Sequence, residues 1–421
     1  MLRRHFKPLL LLLGAFLAAR ILFILFMPHT YSTDLHSWLR VMNVLEEGGN
    51  PYGRTQVLNW PPFWMQMIFA IHQVSKRTGI APELIVQSVL IVCEAVVIGI
   101  VYLIGQRFFN GGKQLFYGLL FGLAINPVSI FLSCQHCNYD VFVGLWVLLA
   151  VWMLMEFFKN GEREAWLAAC FFIGMGILAK TVPVILTPLL LAGIKTLPWR
   201  TRIFGAMLLT APFTIGMSVL FTLEPHGVMQ NVVGYRSLNG WYGFTGLMNL
   251  LFPGDLMDIY QRLSPALFVG LILFAAWKCF RRRYLSPVQV INSALLLMLF
   301  IPTFGPGYSP PYILWFLPLI ILFYVAVPYG LKRFLFLGWV IVALTYIVEY
   351  AFFDSHGAFL LQWFPSAEMQ ALSKKLGDRQ TTQTIIRLPM FIFFLAFFLI
   401  LVKRIKSTDL NARQASPISV L

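Results

Sequence analysis

Long apolar runs separated by short polar breaks repeat along the chain from residue 9 to residue 402. A helix rises about 1.5 Å per residue and a bilayer's hydrocarbon core is about 30 Å thick, so roughly twenty apolar residues make one crossing. The runs predict membrane spans at residues 9–27, 84–104, 115–132, 141–158, 203–223, 267–277, 288–301, 312–327, 334–350 and 388–402. Residues 166–194 form one broken apolar stretch that reads as two crossings. Two segments follow a different rule. Phe63, Trp64, Met67, Ile68, Ile71 and Val74 recur at helical spacing, but Gln66, His72 and Gln73 interrupt a run too short to span. That pattern predicts an amphipathic helix lying flat on the interface. Leu35, Leu39, Met42 and Leu45 share the period, with Ser32-Thr33-Asp34 as a start signal and Gly48-Gly49 as a stop.

Charge then sets the orientation. Arg3, Arg4, Lys7, Arg107, Lys113, Lys159, Arg163, Lys195, Arg200, Arg202, Lys278, Arg281 to Arg283, Lys332, Arg333, Lys403, Arg404 and Lys406 fall on one side if the broken stretch crosses twice. The positive-inside rule makes that side cytoplasmic, giving about twelve helices with both termini inside. Residues 28–82 become a first outer loop carrying two interfacial helices, and residues 224–263 and 354–387 become further outer loops. Long loops on one face and tight turns on the other place the chemistry at the outer face.

Composition agrees: 59% of the 421 residues are hydrophobic and 12% charged, with mean hydropathy +0.76, which excludes a soluble globular chain. The chain reads as one all-α integral membrane domain, residues 1–421, without an internal repeat. The formal charge of +15 is explained by topology, and no basic stripe with interleaved aromatics suggests a nucleic-acid groove. Residues 1–27 read as an uncleaved first span, since no small-residue cleavage site follows the apolar run. Cys93, Cys170 and Cys279 read as small hydrophobes. Cys134-Gln-His-Cys137 lacks the remaining ligands of a structural zinc site, and a disulfide there stays open.

The candidate chemistry gathers at the outer ends of spans. Asp34 directly follows the first span, with His36 and Arg40 beside it; the bland alternative is a helix N-cap. Lys180 falls where the broken stretch must turn, and an ammonium at membrane depth is a functional candidate by default, against simple snorkelling. Arg236 sits in a Gly-rich outer loop where a plain surface arginine fits equally well. Asp140 could orient an acceptor or a metal, or cap the next span; His136 could bind sugar or diphosphate, or face water. Arg20 and Glu94 lie inside spans and are expected to pair with polar partners there. Trp38, Tyr52, Trp60, Tyr308, Tyr312 and Trp315 could stack on sugars, although each taken singly reads as part of an aromatic belt.

Asp34-Leu-His-Ser-Trp-Leu-Arg40, Glu46-Glu-Gly-Gly-Asn-Pro-Tyr52 and Asn59-Trp-Pro-Pro-Phe63 together resemble the first outer loop of GT-C superfamily glycosyltransferases. The resemblance is to bacterial polyprenyl-phosphate-mannose-dependent mannosyltransferases and the catalytic subunit of GPI mannosyltransferase I. Cys134-Gln-His-Cys-Asn-Tyr-Asp140, Ala179-Lys-Thr-Val-Pro183 and Gly307-Tyr-Ser-Pro-Pro-Tyr-Ile-Leu-Trp315 look like later family motifs in the same order. The resemblance implies sugar transfer, mannose by family, from a polyprenyl-phosphate donor to a lipid-linked or surface glycan acceptor, with inversion. Such a reaction needs a carboxylate base near the acceptor hydroxyl, a role Asp34 fits, and cations at the departing phosphate, for which Lys180 and Arg236 are the candidates. His36, Arg40, Tyr52, Trp60, His136, Asp140, Tyr308 and Tyr312 are the substrate-binding candidates. A metal is not required on this scheme, though Asp34 with Asp140 leaves its use open. The rival reading is a multi-span transporter or lipid flippase, in which broken, polar helices would occur in both halves; here only residues 166–194 read as broken. A structural partner in an envelope assembly is a third.

Overall fold

The computed structural model describes residues 2–27, 32–55, 57–233, 240–252, 254–305, 307, 309–353, 358–377 and 380–414. Arg236 and Tyr308 lie outside them. Among the described residues the chain is helical throughout, with no strand, as the hydrophobic runs require: in lipid, a helix satisfies its own backbone. Eight helices are long and apolar enough to cross a membrane, or nine if one bent pair counts as a single span. They are α1 (Leu2–Phe26), α4 (Pro82–Phe109), the bent α5 (Gly112–Ala124 and Pro127–Gln135), α6 (Asp140–Asn160), α8 (Trp199–Leu223), α9 (Asp255–Phe280), α10 (Pro287–Phe304), α12 (Tyr329–Phe352) and α13 (Gln380–Gln414). The protein is an integral membrane protein.

Three shorter helical stretches run between the same two ends of the bundle. α7 (Arg163–Ala179) climbs to Lys180, and a 3-10 helix, Val182–Leu191, returns beside it. The Trp166 indole, low on α7, donates to the Leu190 carbonyl at 3.0 Å, so the stretch doubles back at Lys180. Pro183 and Pro188 explain the 3-10 form, since each lacks the N–H that an α-helix would use. The third stretch is Pro310–Trp315, a 3-10 turn, followed by α11 (Leu317–Ala326). Gly144 on α6 admits that turn: a β-carbon there would lie 2.2 Å from the Leu314 carbonyl oxygen.

The structure corrects several boundaries. The expected span 115–132 is bent by 42° where Asn126 caps the second half and Pro127 opens it. The span at 267–277 begins earlier, at Asp255, and the last at Gln380 rather than 388, so Arg387 belongs to a helix and not to a loop. Broken apolar stretches therefore number three rather than one.

Both short amphipathic segments are helices. α2 spans Thr33–Glu46 and α3 spans Phe63–Thr78. They bury Leu35, Trp38, Val41 and Met42, and Trp64, Ile68, Ile71 and His72, and α3 is not among the membrane-crossing helices. The first loop is clamped from outside by residues 224–233. Asn231 Nδ2 donates to the carbonyls of Tyr52 at 2.9 Å and Thr55 at 3.1 Å. Gly227 comes so close to Tyr52 that a β-carbon would lie 2.2 Å from its carbonyl oxygen. Within the bundle, Arg20 and Glu94 pair at 2.9 Å with both side chains buried.

Candidate active site

The site forms where the loop between α5 and α6 meets α2. Ser32, not Asp34, caps α2: its hydroxyl accepts from Leu35 N at 3.3 Å and donates to the His136 carbonyl at 2.6 Å. Asp34 is thereby released from capping and stands on the first turn with its side chain about 27% exposed. Asn138 Nδ2 lies 2.5 Å from Asp34 Oδ2 and His136 Nε2 lies 3.1 Å from the same oxygen. Burial works to raise the pKa of Asp34, but the electrostatic attraction and hydrogen bond of the His136 N–H, the Asn138 amide and the charge of Lys180 outweigh it and hold the carboxyl below its ordinary value. Asp34 is thus a carboxylate at neutral pH.

Asn138 carries the site onward, since its Oδ1 accepts from Asp140 N at 2.8 Å. Asp140 is the first residue of α6, fully buried, and its Oδ1 receives Lys180 Nζ at 2.9 Å. The ammonium faces four rings: Tyr312 at 4.2 Å, Trp60 at 4.8 Å, Trp315 at 4.9 Å and Tyr139 at 5.6 Å from their centroids. Such contacts favour a cation where water is scarce.

Lys180, Trp60, Tyr312 and Trp315 line a cavity of about 690 Å³, within the usual size range of small-ligand sites. Its far wall is α9, with Gln261, Arg262, Ser264, Pro265 and Phe268. Two buried polar atoms on its lining, Asn59 Oδ1 and Trp315 Nε1, have no hydrogen-bond partner among the described residues, and neither does Asp140 Oδ2 behind Lys180. A buried polar group left unpaired costs about 1–3 kcal/mol, and a polar ligand in the cavity can supply the missing partners.

The structure thus gathers Asp34, His136, Asp140, Lys180, Trp60 and Tyr312 around one loop. His36 and Arg40 are exposed on α2 and do not line the cavity. Tyr52 is buried within the first loop, its hydroxyl donating to the Trp60 carbonyl at 2.9 Å. The aromatic-belt reading fails for Trp38 and Trp315, which are buried: Trp38 donates to the Cys137 carbonyl at 2.9 Å and meets Trp60, Trp64 and Tyr139. Cys134 and Cys137 are free buried thiols. Sequence reasoning missed Arg262 and Tyr350. Arg262 precedes the apolar run of α9 by one turn, which was the available signal; Tyr350 looked only like a span's end.

Residues 61–224 match the family model for dolichyl-phosphate-mannose-protein mannosyltransferase. The fold is similar to the crystal structure of ArnT from Cupriavidus metallidurans bound to undecaprenyl phosphate, with a TM-score of 0.52, 14% sequence identity, and coverage of 97% of this chain and 80% of that one. No curated protein sequence matches the chain. The chain is therefore similar to that mannosyltransferase family over residues 61–224 and to ArnT in its fold.

Proposed function

We propose that the protein transfers a sugar, mannose by family resemblance, from a polyprenyl-phosphate donor to a lipid-linked or cell-surface glycan acceptor, with inversion at the anomeric carbon. The observation that carries this reading is that one short loop, residues 136–140, binds both a carboxylate and a cation beside a cavity walled by lipid-facing helix. Asp34 takes the acceptor proton as the hydroxyl attacks. Lys180, with Arg262 across the cavity and Arg236, stabilises the charge growing on the departing phosphate. The scheme uses no divalent metal, because these cations meet the phosphate. Phe268, Ile301 and Val182 on the cavity wall suit the first isoprene units. ArnT, whose structure holds undecaprenyl phosphate, supports a donor of that class.

The arrangement suits twelve passages with both termini cytoplasmic and the site facing the periplasm of a bacterial inner membrane. The contacts of α4 with α5 and α6 support that orientation: Gln87 meets Cys134 of α5 at the site end, whereas Arg107 pairs with Glu156 of α6 at the other end, where the basic residues gather. The three broken stretches are the one observation that favours transport, but the polar groups converge at a single end. Purified protein in lipid with radiolabelled mannosyl-undecaprenyl phosphate and a glycolipid extract separates the two. Release of undecaprenyl phosphate supports transfer, and vectorial movement without bond cleavage supports transport. Asp34→Asn is expected to lower turnover by about 10²–10⁴-fold with folding intact; turnover at the parent rate removes Asp34 as base.

A further inference from the structure

The two donors that reach Asp34 end on the same oxygen. Asn138 Nδ2 at 2.5 Å and His136 Nε2 at 3.1 Å both meet Oδ2, and no donor among the described residues meets Oδ1. His136 is itself held from two sides. Its backbone carbonyl accepts from Ser32 Oγ at 2.6 Å, and its Nδ1 lies 2.5 Å from the Tyr350 hydroxyl. Tyr350 is clamped in turn, stacked on Phe131 with centroids 4.9 Å apart and planes 5° from parallel. An ionised carboxylate can only accept, so Nε2 carries the proton that faces Asp34, and in a neutral ring Nδ1 then accepts from the Tyr350 hydroxyl. The bond made by one ring nitrogen thus sets the state of the other.

We propose that His136 and Tyr350 are positioning residues that select the reactive oxygen of the base: they anchor Oδ2 and leave Oδ1 to take the acceptor's proton. The inference rests on Asp34 being that base. In the transfer the acceptor O–H bond breaks as its oxygen bonds to the anomeric carbon. The proton lands on Oδ1, and the bond from the anomeric carbon to the phosphate oxygen breaks with its electron pair leaving on polyprenyl phosphate. His136 neither gains nor loses a proton in that step. Protonating it would add a proton at Nδ1, force Tyr350 to turn from donor to acceptor, and place an imidazolium against Asp34, making the carboxylate a weaker base. Other charged or titratable groups around this cluster are Glu349 and Arg387 beside Tyr350, Lys180 near Asp34, Cys134 and Cys137 preceding Asn138, and Glu83 in the first turn of α4.

The test pairs spectroscopy with kinetics on the full chain in lipid. With ¹⁵N-histidine label and His136→Gln to assign the signal, nitrogen NMR at pH 7.5 should show His136 protonated at Nε2 and bare at Nδ1, with Tyr350→Phe mixing the tautomers. An imidazolium, an Nδ1-protonated ring, or no change in Tyr350→Phe overturns the proposal without any turnover being needed. In the mannosyl-undecaprenyl phosphate assay, Tyr350→Phe should lower kcat by about tenfold and His136→Ala by about a hundredfold, with donor KM unchanged. His136→Gln, which keeps an N–H donor, should recover most of that loss. Parent kcat in His136→Ala, a rise in KM alone, or a His136→Gln variant as slow as His136→Ala refutes the positioning role. If Asp34→Asn is inactive while His136→Ala is fully active, only this inference falls; if Asp34→Asn is active, the base assignment falls with it.

Discussion

Two of the buried ion pairs in this bundle are finished differently. Arg20 pairs with Glu94, donates to the carbonyls of Ala124 at 2.5 Å and of Leu123 and Phe16 at 3.4 Å, and reaches the Ser129 hydroxyl. Its guanidinium thus ties α1 to α4 and to the bend of α5, using the fork of donors that suits arginine to such a place. Lys180 has one hydrogen-bond partner, Asp140, and spends the rest of its surface on aromatic faces and the cavity. Asp140 and Glu94 each keep one oxygen, Oδ2 and Oε1, without a partner among the described residues, so the difference lies in the two cations. The contrast separates two ways of burying a cation inside a membrane protein: Arg20 has its donors taken up by its own chain, whereas Lys180 keeps a face turned to the cavity.

Breaking each pair should therefore damage different properties. The largest effect is expected for Lys180→Met, which should cut kcat/KM by about 10²–10³-fold, measured by undecaprenyl phosphate release. Arg20→Met should instead strand Glu94 and cost about 3–5 kcal/mol of stability, seen as a lowered denaturation midpoint, while the folded fraction keeps the parent's turnover per molecule. Replacing both members, Arg20→Met with Glu94→Leu, should recover most of that loss; a double variant as unstable as the single one contradicts the saturated-pair account. The smallest effect concerns pH. The folded-state pKa of Asp34 is held below its ordinary value, so its contribution is fully present above about pH 4, the unfolded carboxyl pKa, and is lost as pH falls through the folded value. The stability gap between the parent and Asp34→Asn should hold above that pH and close in stronger acid, as thermal denaturation across pH can show.

Much of this was legible in the chain itself. Hydropathy located the spans because lipid leaves the backbone few alternatives, and Lys180 announced itself as a charge within an apolar run. Asp34 was found by its place after the first span, although the sequence could not show that Ser32 would do the capping and leave the carboxylate free. Hidden features share a cause: a one-dimensional pattern gives depth in the membrane but not which way a side chain faces around its helix. Trp38 and Trp315 therefore looked like belt residues, whereas one is buried against Trp64 and Tyr139 and the other lines the cavity. Arg387 looked like a loop residue, yet it pairs with buried Glu349 at 2.7 Å. The bend at Asn126-Pro127 was readable, since proline lacks the N–H that a continuous helix needs, but the apolar run around it concealed the break.

The loop from His136 to Asp140 has one more consequence. Its carbonyls and side chains are grasped by Ser32, Trp38 and Asp34 on one side and Lys180 on the other, so the spacing between base and cation is measured out in five residues of backbone and not by the tilt of any helix. Membranes differ in thickness, and helices answer by leaning. A ruler cut from loop lets the surrounding bundle lean without retuning the distance between the Asp34 carboxylate and the Lys180 ammonium.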